Sequence, residues 1–194
     1  MTTALPRSRR TRLIVGGALV VIAVAGIIYA VLAIFGGNEP GSGPGYRFAT
    51  VRHVNQEGGY SFHHPPGWEV EDDQTVSQLA GPRGETRVTF GLGAEGDAEA
   101  AETRFVREIQ GQYRDVELAA IQIERVGPNP ALSVAGTGRV PGGPRIRFLA
   151  ITVSTPEQNY SIGVFTAANT DPGEVLPPTQ EVVNSFRPLP RAEV

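Results

Sequence analysis

The chain of 194 residues contains no cysteine and no lysine. Without cysteine there is no disulfide, no thiolate metal site, no cysteine nucleophile and no lipid anchor on an N-terminal cysteine. A domain of this chain outside the cytoplasm must therefore hold together through its apolar core. All 17 basic residues are arginine. With abundant Ala, Gly, Pro and Val, that bias points to a GC-rich bacterial genome and carries no functional information. Imidazole chemistry is confined to His53, His63 and His64.

Charge is absent from Leu13 to Phe35, an apolar run of 23 residues, LIVGGALVVIAVAGIIYAVLAIF. As a helix it reaches about 34 Å, enough to cross a hydrocarbon core of about 30 Å. A cleaved signal peptide has an apolar core of only about 7–15 residues, and no A-x-A site follows this run. The expectation is an uncleaved single-pass transmembrane helix at 13–35. Residues 1–12, with Arg7, Arg9, Arg10 and Arg12, form its flank. The positive-inside rule keeps this tail in the cytoplasm and places the C-terminal part beyond the plasma membrane. Residues 36–45, GGNEPGSGPG, read as a flexible linker. Residues 46–194 are the right length for one extracytoplasmic domain. Setting aside the four flanking arginines, thirteen remain against 20 acidic residues, a net charge of about −7. Such a domain is a poor candidate for nucleic acid or anionic headgroups through bulk charge.

Period-two patterns dominate residues 46–194. Tyr60 to His63 and Trp68 to Glu71 read as short strands turning through Pro65-Pro66-Gly67. Thr75 to Leu79 and Arg87 to Leu92 read as a hairpin around Gly81-Pro82-Arg83-Gly84. Ala98, Ala101, Phe105, Ile109 and Tyr113 share one face of a helix, leaving Glu99, Glu102, Arg104, Arg107 and Glu108 to water. Further strands are expected at Val116 to Val126, Ala131 to Val140, Arg145 to Ser154 and Asn159 to Thr166, with a hairpin turn at Pro141 to Pro144. In the strand from Arg145, residues Ile146, Phe148 and Ala150 point one way and Leu149, Ile151 and Val153 the other, so both faces are covered. A closing helix at Pro177 to Phe186 places its prolines in a first turn and turns Val183 and Phe186 inward. The expected fold class is α+β, an antiparallel sheet with a helix on each face.

Few constellations carry chemistry. His63 and His64 are adjacent on a strand and point to opposite faces. They do not chelate one metal, and the simple reading is one half-buried and one solvent-facing histidine. Ser61 lies near His63, but no G-x-S-x-G elbow occurs. Gly91-Leu92-Gly93-Ala94-Glu95-Gly96 matches G-x-G-x-x-G, with Asp115 and Glu117 about 20 residues on. Against a nucleotide site, the preceding strand alternates, no second βαβ unit follows, and Glu95 and Asp97 bring negative charge where a pyrophosphate would sit. The simpler reading is a glycine-rich loop entering a helix whose acids favour its dipole. Arg139, Arg145 and Arg147 flank the Pro141–Pro144 turn. They are candidates for contact with an acidic or phosphorylated partner, against plain solvation beside a hairpin tip.

The segment YSFHHPPGW is similar to the "Y-S-F-x-x-P-x-G-W" opening of PsbP-like domains, through Tyr60, Ser61, Phe62, Pro65 or Pro66, Gly67 and Trp68. The strand at Tyr160-Ser161-Ile162 and the helix ending Val182-Val183-Asn184-Ser185-Phe186-Arg187 resemble that superfamily's close, so the likeness covers Gly59 to Pro188. The resemblance implies an α-β-α sandwich. It also implies roles in binding and assembly, since the superfamily includes an extrinsic photosystem subunit, a Ran-binding protein and bacterial envelope lipoproteins. It supplies no catalytic residue, cofactor or metal ligand to carry over. Fold alone does not select among such roles. The leading expectation is a membrane-anchored, extracytoplasmic, non-catalytic domain that binds or helps assemble an envelope protein. The second is a small-molecule or lipid-binding module with a groove between sheet and helix. The third, an enzyme, requires a histidine and carboxylates converging at a cleft.

Overall fold

Eleven strands and two helices, arranged around two sheets, make up the computed structural model, which describes residues 50–190. The expected cytoplasmic tail, transmembrane helix and linker at 1–12, 13–35 and 36–45 lie outside the described residues. Among the described residues no helix is long and apolar enough to cross a membrane.

Strands β1 (Val51–Asn55) and β2 (Tyr60–His64) open the chain, followed by β3 (Glu69–Asp73), β4 (Val76–Ala80) and β5 (Thr86–Leu92). Helix α1 (Ala98–Gln112) precedes β6 (Arg114–Leu118), β7 (Gln122–Val126), β8 (Asn129–Arg139), β9 (Arg145–Ser154) and β10 (Asn159–Ala167). Helix α2 (Pro172–Asn184) and the short β11 (Arg187–Pro188) close it. The large sheet runs β3-β4-β5-β10-β9-β8-β6, with β7 also on β8. The small sheet is β1-β2-β11. All pairings are antiparallel.

The alternation of β9 sets the layers. Ile146, Phe148 and Ala150 join Val106 and Ile109 of α1 in one core, with Phe105, Tyr113 and Phe165 packed against it. Leu149, Ile151 and Val153 join the other core, which holds Val182, Val183 and Phe186 and the small-sheet residues Tyr60 and Phe62. The two helices thus cover opposite faces, as the two-sided pattern requires, and the small sheet shares the α2 face. The second core is aromatic. Phe62 and Phe90 stack with centroids 4.2 Å apart, Phe90 lies 5.9 Å from Phe186, and Tyr60 meets Tyr160 edge-on at 6.1 Å. Trp68 is half-buried against this core.

Several expectations are corrected. The turn at Pro65-Pro66-Gly67 does not join a hairpin, because it carries the chain from the small sheet to the edge of the large one. Local periodicity is the same in both cases, and only the nonlocal partners differ. Val116 to Val126 is not one strand. Strands β6 and β7 occupy successive halves of β8, with Ala119 N–H donating to the Ala135 carbonyl between them. Helix α2 begins earlier than expected, capped by Asp171, whose carboxylate accepts from Gly173 N–H, with Pro172 in the first turn. Pro177 and Pro178 therefore lie inside the helix. The carbonyls they leave unbonded belong to Gly173 and Glu174, which are exposed to water. Val175, Thr179, Val182 and Val183 form the inward stripe. Glu102 does not face water: it is completely buried beneath α1.

Candidate functional site

The histidines of the opening strands do not assemble into one site. On β2, Tyr60, Phe62 and His64 share the core-facing side, and His64 is buried, with its Nδ1 3.0 Å from the Pro65 carbonyl. His63 is half-buried on the other side, Nδ1 3.1 Å from the Thr50 hydroxyl. The expected solvent-facing histidine is therefore not found in this pair, because the strand end is roofed rather than open. Burial, then the positive charges of Arg52, Arg187 and His64, holds the His63 imidazole below its ordinary pKa. His53 belongs to β1 and pairs with Asp72 of β3 at 3.0 Å. Asp72 also accepts from the Ser77 hydroxyl at 2.6 Å.

This Ser-Asp-His group is not a hydrolytic triad. The aspartate stands between the other two, so the imidazole does not touch the serine hydroxyl as a triad requires. Its role is to satisfy a polar seam. Asn55 Nδ2 donates toward Ser77 Oγ (3.2 Å) and the Gln74 carbonyl (3.0 Å), while the Tyr60 hydroxyl lies 3.0 Å from both Ser77 Oγ and the Phe90 carbonyl. Burial raises the Tyr60 pKa, so its proton stays in place as a donor. Among the described residues no group of three or more His, Asp or Glu side chains is placed to hold a metal ion. Ser61, the other serine considered, is buried within β2.

The glycine-rich loop spends its polar groups internally. Gly93 N–H donates to the Asn159 carbonyl at 2.8 Å, and Asn159 Nδ2 donates to the Ala94 and Gly96 carbonyls at 3.0 Å each. A Cβ at Gly93 would meet the Asn159 backbone at 2.9 Å, so this glycine serves close chain packing. Asp97 caps α1 by accepting from Ala100 N–H at 2.8 Å. Asp115 and Glu117 follow the far end of α1, about 22 Å from its start. They do not face the loop.

The three candidate arginines share one face of the large sheet, at the end carrying the β8–β9 turn. Arg147 is half-buried and donates to the Thr170 carbonyl at 2.6 Å, tying β9 to the loop that starts α2. Arg139 and Arg145 are each about half exposed. Their nearest acids are Asp115 at 3.7 Å and Glu117 at 3.9 Å, both beyond hydrogen-bond distance and well exposed. The structure adds Arg114 to this group, directly opposite Arg139, which is directly opposite Arg145. Spacing in sequence carries no sign of this, since the register of β6 on β8 includes a bulge.

Glu102 is a second group the sequence pattern misplaces. The buried Thr152 of β9 is the polar group beside the Glu102 carboxyl. Burial pushes the carboxyl up to about 7, with a smaller lowering effect from Thr152. The helical repeat itself puts position 102 on the inward stripe, four residues after Ala98 and three before Phe105, so it is the charge of Glu102 and not its spacing that suggested water.

No protein-family model matches the chain, and no curated protein sequence matches it. Solved structures do. The chain is similar to cyanobacterial PsbP (CyanoP) from Synechocystis, with TM-score 0.53 and 19% identity over 77% of this chain and 98% of that one. It is similar to the Saccharomyces cerevisiae Ran-binding protein Mog1p, with TM-score 0.53 and 10% identity over 73% of this chain and 96% of that one. A Bacteroides thetaiotaomicron protein matches at TM-score 0.51 and 11% identity, over 73% of this chain and 49% of that one. The fold of residues 50–190 is thus the PsbP-like fold, in accord with the resemblance read from Tyr60 to Trp68.

Proposed function

We propose that this chain is a single-pass membrane protein whose PsbP-like domain lies outside the cytoplasm, catalyses no reaction, and binds or helps assemble another protein of the bacterial envelope. The supporting observation is how the domain uses its polar groups. His53, His64, Asp72, Ser77, Asn159 and the loop at 93–97 all serve internal bonds. Arg139 and Arg145 beside the β8–β9 turn remain about half exposed with only loosely held acids nearby. Mog1p is named a Ran-binding protein, so this fold is compatible with protein binding, although fold does not transmit a partner. The anchor and its orientation rest on Leu13 to Phe35 and the arginines preceding it.

Crosslinking and pull-down of the full-length protein from native membranes, beside an anchor-only control, tests the reading. Capture of a specific envelope protein by the full chain alone is the expected result; no capture beyond the control removes the proposal's main support. A periplasm-active reporter fused after Val194 is expected to be active. A well-expressed but inactive fusion reverses the orientation.

A further inference from the structure

Arg114, Arg139 and Arg145 stand directly opposite one another on three neighbouring strands, β6, β8 and β9. Residues so paired share a face, and like charges in this arrangement destabilise a sheet. All three side chains are exposed, and the nearest carboxylates make only loose, exposed pairs at 3.7 and 3.9 Å. Arg147, two residues along β9 on the same face, is committed to Thr170 and holds the base of the row. The row is thus a positive line on a domain of net charge about −7. It is kept in register by the sheet rather than by its counter-ions.

We propose that the Arg114–Arg139–Arg145 row is the docking site for an acidic helix of the partner protein. This inference rests on the partner-binding reading above. Two features select the occupant. Neighbouring strands are about 4.8 Å apart. Carboxylates three and four residues apart on a helix have Cβ atoms about 5–6 Å apart, whereas alternate residues of an extended strand are about 6.7 Å apart. A helix crossing the strands therefore meets all three arginines, and each guanidinium offers a carboxylate two parallel N–H donors. Asp115 and Glu117 border the row and confine its positive field to the line of the three arginines, which suits a narrow acidic element better than a flat anionic membrane. They suit a partner of defined charge pattern.

The full chain in phosphatidylcholine nanodiscs is titrated with two fluorescent helical peptides of one composition. In one, three glutamates are aligned at three- and four-residue steps; in the other they are spread around the helix. Vesicles containing phosphatidylglycerol form a third arm. The aligned peptide is expected to bind at least about tenfold tighter than its isomer. The variant R114Q/R139Q/R145Q is expected to lose that preference while its Tm holds or rises. The variant R104Q/R107Q, altered at exposed positions of α1, is expected to keep it. Equal affinity for the two peptides, or an undiminished preference in the triple variant, overturns the proposal. Binding to the vesicles but not to the aligned peptide also overturns it, in favour of a lipid-facing row. In the pull-down, a triple variant that still captures the wild-type partner disproves the row and leaves the functional reading intact. Capture by neither protein ends both.

Discussion

Glu102 occupies a place on α1 that the surrounding packing suits to an apolar side chain, and its protonation state is coupled to folding. Its carboxyl titrates near 4.5 in the unfolded chain and is raised to about 7 in the folded one. Between these values the folded state binds more protons than the unfolded state, so stability falls as pH rises. The contribution is fully present below about pH 4.5 and is lost by about pH 7 to 8, at most about 3 kcal/mol. Glu102→Gln removes the titration and keeps the size. Urea unfolding of the full chain at pH 5, 6, 7 and 8 is expected to show a stability decline in the wild type that is much reduced in the variant; identical profiles would show that the buried carboxyl does not set it. Glu102 was legible in the sequence as a helical residue but not as an inward one. Its spacing from Ala98 and Phe105 places it within the apolar stripe, but a charged side chain is assigned to water on its chemistry, and the packing of α1 on β9 shows that position prevails.

At the scale of elements, both edges of the large sheet are blunted against pairing with other chains. Strand β3 carries Glu69, Glu71, Asp72 and Asp73 in five residues, and the opposite edge is broken between β6 and β7. The charge of β3 is plain in the sequence. The break is marked only by a change of parity, Val116 and Leu118 on one side of Ala119-Ala120 and Ile121 and Ile123 on the other, which a reading of Val116 to Val126 as one strand passes over. Helix α2 shows a related limit. Two adjacent prolines suggest a helix start, yet Asp171 and Pro172 supply a better one upstream, and packing of Val175, Thr179, Val182 and Val183 carries the helix through Pro177 and Pro178. Pro178→Ala restores a donor to the Glu174 carbonyl and removes a ring clash. Against that stands the larger entropy of the unfolded chain. A net gain of about 1–2 kcal/mol is expected in urea midpoint comparisons. A loss would mean that the proline ring's own packing outweighs the missing bond.

For the molecule as a whole, the small sheet and α2 act as a lid bonded to the large sheet through one aromatic core. Phe62 stacks on Phe90 across the two sheets, and Ser185 ties the end of α2 to β2 by accepting from His63 N–H at 2.7 Å. Phe62→Ala is expected to cost about 3–5 kcal/mol. Hydrogen exchange should rise together in β2, α2 and β5, with the α1 side of the sheet less affected. Faster exchange confined to β1 and β2 would show that the lid opens separately from the core.

The α+β class, the two-faced β9, the α1 stripe and the Tyr60-to-Trp68 signature follow from local patterns. Side-chain alternation and helical periodicity are properties of the backbone and are set before any long-range contact forms. The division into two sheets, the internal use of the histidines and the row formed by Arg114, Arg139 and Arg145 depend on which distant segments pair and in what register. Those choices are made by burial summed over the whole core, to which a single short segment contributes too little to reveal them.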